Sequence, residues 1–248
     1  MARWIEDLER TLGAIDAKRA HYRDVSSSCN SPLETAVPEK SEHRRRRKMA
    51  EKRRKLGMNG PEISAMGLGC WAIGGPFKFD GRPAGWGEVD DEESVRAIRR
   101  ALEIGVNFFD TADVYGCGHS ERVLGRALKG RREEAVVATK FGLLFDEERK
   151  QGGGSDVSPA YIRRACETSL RRLGTEYIDL YQLHAGAGDA AGAEGVVEVL
   201  EGLVAEGKVR YYGTSEDSPE VVGVFAEGEH CASVQTQVNV FGADEEIH

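Results

Sequence analysis

The sequence predicts an α/β protein of (β/α)8 barrel type, incomplete at about six of eight strands, behind an N-terminal helical and basic extension. Three observations carry this expectation. From Lys55 onward, short apolar runs alternate strictly with amphipathic stretches, which implies a parallel sheet with helical crossovers. Polar residues capable of chemistry fall at the C-terminal ends of successive runs, where barrel enzymes build their sites. An open dinucleotide-binding sheet should instead show G-x-G-x-x-G after its first strand, but Gly67-Leu68-Gly69 is followed by Cys70-Trp71-Ala72.

The elements follow in order. Residues 1–25 predict an amphipathic helix, with Ile5, Leu8, Leu12, Ile15 and Tyr22 close to a heptad seam that Arg19 interrupts. So short a helix needs a partner surface, which makes self-association through it an expectation. Ser26-Ser27-Ser28 and Pro32 to Pro38 break the helix, and residues 26–55 form a polar and basic linker carrying His43-Arg44-Arg45-Arg46-Arg47-Lys48. That run could meet phosphates. Without interleaved aromatic residues it is read as a solvated spacer, and no specific nucleic acid is expected.

Residues 56–248 form the barrel domain. A hairpin around Asn59-Gly60 opens it, between Lys55-Leu56-Gly57 and Glu62-Ile63-Ser64. Six strands are expected at Met66–Cys70, Val106–Asp110, Ala135–Lys140, Tyr177–His184, Val209–Thr214 and Ser233–Val238. Four helices lie between them. Asp90-Asp91 opens the first, Ser120 caps the second, Ser158-Pro159 starts the third and Gly174 closes it, and the fourth carries Val196, Val199, Leu200 and Leu203 to Gly207. Serine caps, proline just inside and glycine just past the end are the usual helix punctuation.

Composition narrows the class. With 40% hydrophobic and 31% charged residues in 248, most of the chain can bury a core. Residues 1–55 carry a net charge of +6 and the remainder −14, so the two parts answer to different requirements. No run approaches the length of a membrane span, and the N-terminus lacks a signal peptide's apolar stretch. The five widely spaced cysteines suggest reduced thiols and a cytoplasmic location, and no C-x-x-C pair supports a zinc site.

Asp110, Tyr115, Lys140 and His184 are the candidate catalytic residues. Singly, each has a plainer reading: a turn cap, a packed aromatic, a snorkelling lysine, a structural histidine. Together they occupy three consecutive strand ends, which converge in a parallel barrel.

The segment Gly105-Val-Asn-Phe-Phe-Asp-Thr-Ala-Asp-Val-Tyr-Gly116, with Ser120-Glu121 and Leu124-Gly125, resembles the signature of aldo-keto reductases. KLGMNGPEISAMGLGCW, ATKFG, SLRRLGTEYIDLYQLH and GKVRYYGTS are similar to further family segments, in the family's order, over about residues 53–241. The resemblance implies a (β/α)8 barrel with the Asn59-Gly60 hairpin at its bottom, reducing aldehydes and ketones, small carbonyl substrates, with NADPH. It makes Tyr115 the proton donor. A free phenol, with a pKa near 10, is a weak acid at neutral pH, and a neighbouring ammonium at Lys140 should lower it. Asp110 orients Lys140 beside the cofactor, His184 donates to the substrate carbonyl, and Trp71 walls the pocket. Ser215 and Gln235 address the nicotinamide, with Gln237 an alternative to Gln235. Glu216 and Val238 depart from the family's usual asparagine and tyrosine. Residues 1–24, including LERTLGAIDAKRAHYRD, are also similar to the dimerisation helix of MerR-type regulators.

From Leu56 the sequence offers 193 residues, against about 250 for a typical barrel. Strands seven and eight, and in the family the loop gripping the cofactor phosphate, are therefore expected to be missing, leaving open sheet edges through which copies could associate. Three functions follow from the resemblance: an NADPH-dependent carbonyl reductase, an NADPH-sensing regulatory or partner-binding protein, and an inactive truncated remnant.

Overall fold

A computed structural model describes residues 52–236; the expected N-terminal helix, most of the basic linker, Gln237 and Val238 lie outside these residues. The main sheet has six parallel strands, arranged side by side in their order along the chain. In chain order these are β3 (Gly67–Gly69), β6 (Phe108–Asp110), β7 (Val136–Phe141), β10 (Ile178–Leu183), β11 (Val209–Thr214) and β12 (Cys231–Val234). Each overlaps a predicted run, with β7 extending one residue further, to Phe141. The last begins at Cys231, two residues early, and ends at Val234, so Gln235 follows the strand.

Helices cross between the strands: α1 (Asp91–Glu103), α2 (His119–Leu128), α3 (Pro159–Leu173), α4 (Ala190–Ala205) and α5 (Pro219–Ala226). The Asp90 side chain caps α1, accepting from the Glu93 N–H at 2.9 Å, and Asp91, Glu92 and Glu93 complement the positive end of its dipole. Ser158 caps α3, Pro159 occupies its first turn, and Gly174 closes it at φ 65°. Ser120 does not cap α2. That helix starts one residue earlier, after Gly118, and the Ser120 hydroxyl turns inward to donate to the Cys70 carbonyl at 2.8 Å.

The sheet has two faces. Phe109, Val137, Phe141, Tyr181, Leu183 and Tyr212 point outward into the helices, meeting Ile98, Leu124, Ile162, Leu200 and Phe225 in the main core. Ala138, Leu180 and Ala232 face inward with Leu56 and Phe108. Over this inner cluster lies the hairpin of β1 (Arg53–Lys55) and β2 (Glu62–Ser64). It begins at Arg53, inside the stretch expected to be linker. Gly57, at φ 61°, takes the left-handed position in its turn, and a Cβ there would lie 2.7 Å from the Ala232 carbonyl oxygen. The hairpin therefore plugs the end of the sheet where the strands begin.

Four further strands were not among those predicted. β4 (Phe77–Phe79) and β5 (Arg82–Ala84) follow β3, while β8 (Leu143–Asp146) and β9 (Gln151–Ser155) follow β7. They join as a second sheet, β5-β4-β9-β8, over the C-terminal ends of the main strands. Its Phe77, Phe79, Leu143 and Phe145 pack against Ala112, Val114, Tyr115 and Cys117. Among the described residues, no helix is long and apolar enough to cross a membrane.

Candidate active site

Asp110 ends β6 and pairs with Ala138 of β7, which places Lys140 one inward position further along. The Lys140 side chain is almost wholly buried. Its ammonium donates to Asp110 Oδ1 at 2.7 Å, the Thr111 carbonyl at 2.9 Å and Tyr115 Oη at 3.4 Å. An ammonium has three donors and is costly to bury unless they are used. Here all three are used, and the contact to the phenol is the longest. Because Tyr115 Oη accepts from Lys140, its own O–H is left to point elsewhere.

Tyr115 stands in a loop against the single helical turn of residues Ala72–Gly74. A Cβ on Gly116 would sit 1.8 Å from the Gly74 carbonyl oxygen, so only glycine permits this approach. Aromatic rings surround the phenol: Trp71 at 4.9 Å between centroids and His184, edge-on, at 5.9 Å. Phe77 stands behind Trp71 at 6.5 Å. Trp71 is 41% exposed and borders the mouth.

Burial pushes the Tyr115 phenol above its ordinary value of 10; the Lys140 charge opposes this, and Asp110 adds to it. The expected lowering by Lys140 is thus present, but removing the ring from water outweighs it. Burial and then the Lys140 charge hold His184 down to about 4, so its imidazole is neutral at neutral pH. His184 Nδ1 is buried and has no hydrogen-bond partner.

Ser215 and Gln235 lie at the same end of the sheet, their N–H groups donating to the carbonyls of Leu183 at 2.7 Å and Thr214 at 2.8 Å. Ser215 is half-buried and Gln235 exposed. Neither side chain joins the Asp110–Lys140–Tyr115 cluster by a hydrogen bond. The Glu216 carboxylate accepts from the Gly186 N–H at 2.8 Å, tying the loop after β11 to the loop after β10.

Sequence reasoning missed the polar layer behind the site. Glu121, fully buried, accepts from Thr139 Oγ1 at 2.6 Å and Arg172 Nη1 at 2.9 Å. Arg172 also reaches Glu147, beside the second sheet. Burial, and then the charge of Glu121, push the Asp113 carboxyl well above the usual carboxylate range, and its Oδ1 has no partner. The available signal was slight: one charged position on the inner side of each helix, Glu121 on α2 and Arg172 on α3. Among the described residues, no group of three or more histidine, cysteine, aspartate or glutamate side chains could hold a metal ion.

Residues 65–248 match the model of the Aldo/keto reductase family. The chain is 35% identical over 190 residues to the uncharacterized oxidoreductase YqkF of Bacillus subtilis, covering 77% of this chain and 57% of that protein. It is 36% identical to the holo form of aldo-keto reductase AKR11C1 from Bacillus halodurans, with a TM-score of 0.65, covering 76% of this chain and 58% of that one. An aldo/keto reductase from Klebsiella pneumoniae, crystallised with NADP and acetate, is 31% identical with a TM-score of 0.55, covering 73% and 58%. The chain thus spans a little over half the length of these relatives. Six parallel strands, helices on their outer face, and a family match that begins just before β3 and takes in all six strands lead to one assignment: this chain belongs to the aldo/keto reductase family.

Proposed function

We propose that the chain carries an NADPH-dependent carbonyl-reducing site in which Tyr115 gives a proton to the oxygen of an aldehyde or ketone. The observation that carries this reading is the three-way bonding of Lys140, anchored on Asp110 and Thr111 and donating to Tyr115 Oη. Lys140 occupies a lone pair of the phenol oxygen, so the phenol hydrogen is free to face a substrate. As the carbonyl oxygen becomes an alkoxide, a stronger base than phenolate, it takes that hydrogen. The phenolate left behind is met by an ammonium that burial holds in place. Neutral His184 donates an N–H to the same oxygen. Trp71 offers its exposed face to the substrate's carbon skeleton.

The cofactor reading is supported by the Klebsiella relative crystallised with NADP. The residues at the mouth suit a nicotinamide: Ser215 and Gln235 supply a hydroxyl and an amide, and Glu216 an acceptor for a carboxamide NH2. Buried, unpartnered His184 Nδ1 leaves polar capacity in the site. When bound, the reduced nicotinamide supplies the hydride that reaches the carbonyl carbon. With four free thiols among the described residues, the proposed location is the cytoplasm.

The test is loss of nicotinamide absorbance when the purified chain meets NADPH and small aldehydes. Turnover is expected, and Tyr115→Phe should lower kcat/KM by about 10²- to 10⁴-fold at nearly unchanged NADPH affinity. Equal turnover by the variant would overturn the assignment of Tyr115. A parent chain that binds NADPH without turning over any carbonyl would overturn the reductase reading.

A further inference from the structure

Two non-glycine residues near the site hold left-handed backbone, a conformation that persists only where the surroundings impose it. One is Cys117, at φ 50°, between Gly116 at φ 58° and Gly118 at φ 84°. These three residues directly follow Tyr115 and turn the chain into α2. The other is Lys150, at φ 53°, in the turn between β8 and β9. A single hydrogen bond joins the two strained turns: Lys150 Nζ donates to the Gly116 carbonyl at 2.9 Å. Lys150 is itself held by the second sheet, because its carbonyl accepts from the Lys78 N–H at 2.9 Å. The Tyr115 loop is thus gripped from inside by Lys140 on the phenol and from outside by Lys150 on the next peptide. An ammonium on a carbonyl is a charge-assisted bond, stronger than a neutral pair.

We propose that Lys150 is a positioning residue for Tyr115: its ammonium closes the strained turn at Gly116 and thereby fixes the phenol at the distance seen from Lys140. This rests on the reading of Tyr115 as proton donor. Lys150 itself touches no reacting atom. It acts through the backbone of the residue after the donor, from a sheet built of two loops that are far apart in sequence.

Cys117 reports on this closure without any turnover. Its side chain is fully buried, one residue beyond Gly116. Burial raises its thiol to about 11, and the Lys150 charge works against that rise. Removing the Lys150 charge alone would make the thiol less acidic and slower to alkylate. Only opening of the turn makes it faster, so the two effects have opposite signs.

The experiment is iodoacetamide labelling of the full chain, read by peptide mass spectrometry, together with steady-state kinetics. Lys150→Met should label at Cys117 about tenfold faster, with buried Cys70 and Cys166 unchanged, and Lys150→Arg should behave as the parent. In the kinetics, Lys150→Met should lower kcat about tenfold at unchanged KM, again with rescue by arginine. Unchanged or slower labelling in Lys150→Met, or arginine and methionine variants that behave alike, would overturn the proposal. Faster labelling with kcat intact would overturn it too, since an open turn would then leave the donor working. A Tyr115→Phe variant that still turns over marks the separate failure of the donor reading, and it leaves the labelling result standing.

Discussion

Each end of the strands buries a charge, and the two ends treat it differently. Near the start of β10, Asp179 is 1% exposed. Its Oδ2 accepts from Arg132 Nη2 at 2.6 Å and the Val137 N–H at 3.0 Å, and its Oδ1 from Arg210 Nη1 at 3.1 Å. Arg132 also donates to the carbonyls of Ala135 and Tyr177, and both guanidinium groups lie over the Tyr177 ring. Both Asp179 oxygens are thus occupied at hydrogen-bonding distance. At the other end, Lys140 is equally buried, yet its bond to Tyr115 is long and His184 Nδ1 and Asp113 Oδ1 have no partner. Polar capacity left unused in a buried place costs stability. The lesson is that the first end fastens strands, whereas the second leaves buried polar groups unsatisfied, which suits the ligand-binding end proposed above.

Breaking the fastened end should give the largest effect on folding. Asp179→Ala leaves two guanidinium groups without their carboxylate and should cost about 3–5 kcal/mol of stability. Carbonyl reduction per folded molecule should stay near the parent's, because Asp179 is remote from Tyr115. Denaturant titration beside kinetics checks this; a stable variant with lost turnover would reverse the comparison.

Acid sharpens the contrast from the other end. His184 is held at about 4 against its ordinary 6.5. Between these values the unfolded chain takes up a proton that the folded chain refuses. Stability present above pH 6.5 is therefore lost as pH falls towards 4, by up to about 3 kcal/mol. In His184→Gln that part of the acid sensitivity should vanish. Denaturation midpoints for parent and variant that fall in parallel with pH would contradict the assignment.

The smallest effect is expected at Arg210. Its side chain is 60% exposed although its partner Asp179 is buried, so solvent screens much of the attraction. Arg210→Met should cost no more than about 1 kcal/mol, well below the Asp179 change. Comparable losses in the two variants would mean that the network acts as a unit rather than through Asp179.

The comparison also explains what was legible in the sequence. Alternating apolar runs located all six main strands, because buried strands and amphipathic helices differ in period. Asp110, Lys140 and His184 stood out because each breaks an apolar pattern at a strand end. The second sheet was hidden: Gln151–Ser155 is three-fifths glycine, and it is extended because its backbone pairs with β4 and β8 rather than through any propensity. One available signal was Asp80-Gly81, at φ 48° and 73°, a two-residue turn of the strongest hairpin type between β4 and β5. Ser218-Pro219 likewise opens α5 with the punctuation that Ser158-Pro159 gives α3. The sign of the Tyr115 shift could not be read in advance. A neighbouring lysine is visible in a motif, but the depth at which a ring is buried is set by residues from several loops.

The central claim is that Lys140 partly offsets burial at Tyr115 and so keeps the phenol usable as an acid. The most direct test is the pH dependence of kcat/KM for the parent and for Lys140→Met. In the proposed mechanism reduction needs the protonated phenol, so activity should fall as pH rises through the Tyr115 pKa, which burial holds above its ordinary value of 10 in the parent. Removing the ammonium destabilises phenolate. The alkaline limb should therefore move to still higher pH, while the plateau below it drops because the acid is weaker. A limb that moves to lower pH, or a profile that coincides with the parent's, would contradict the account.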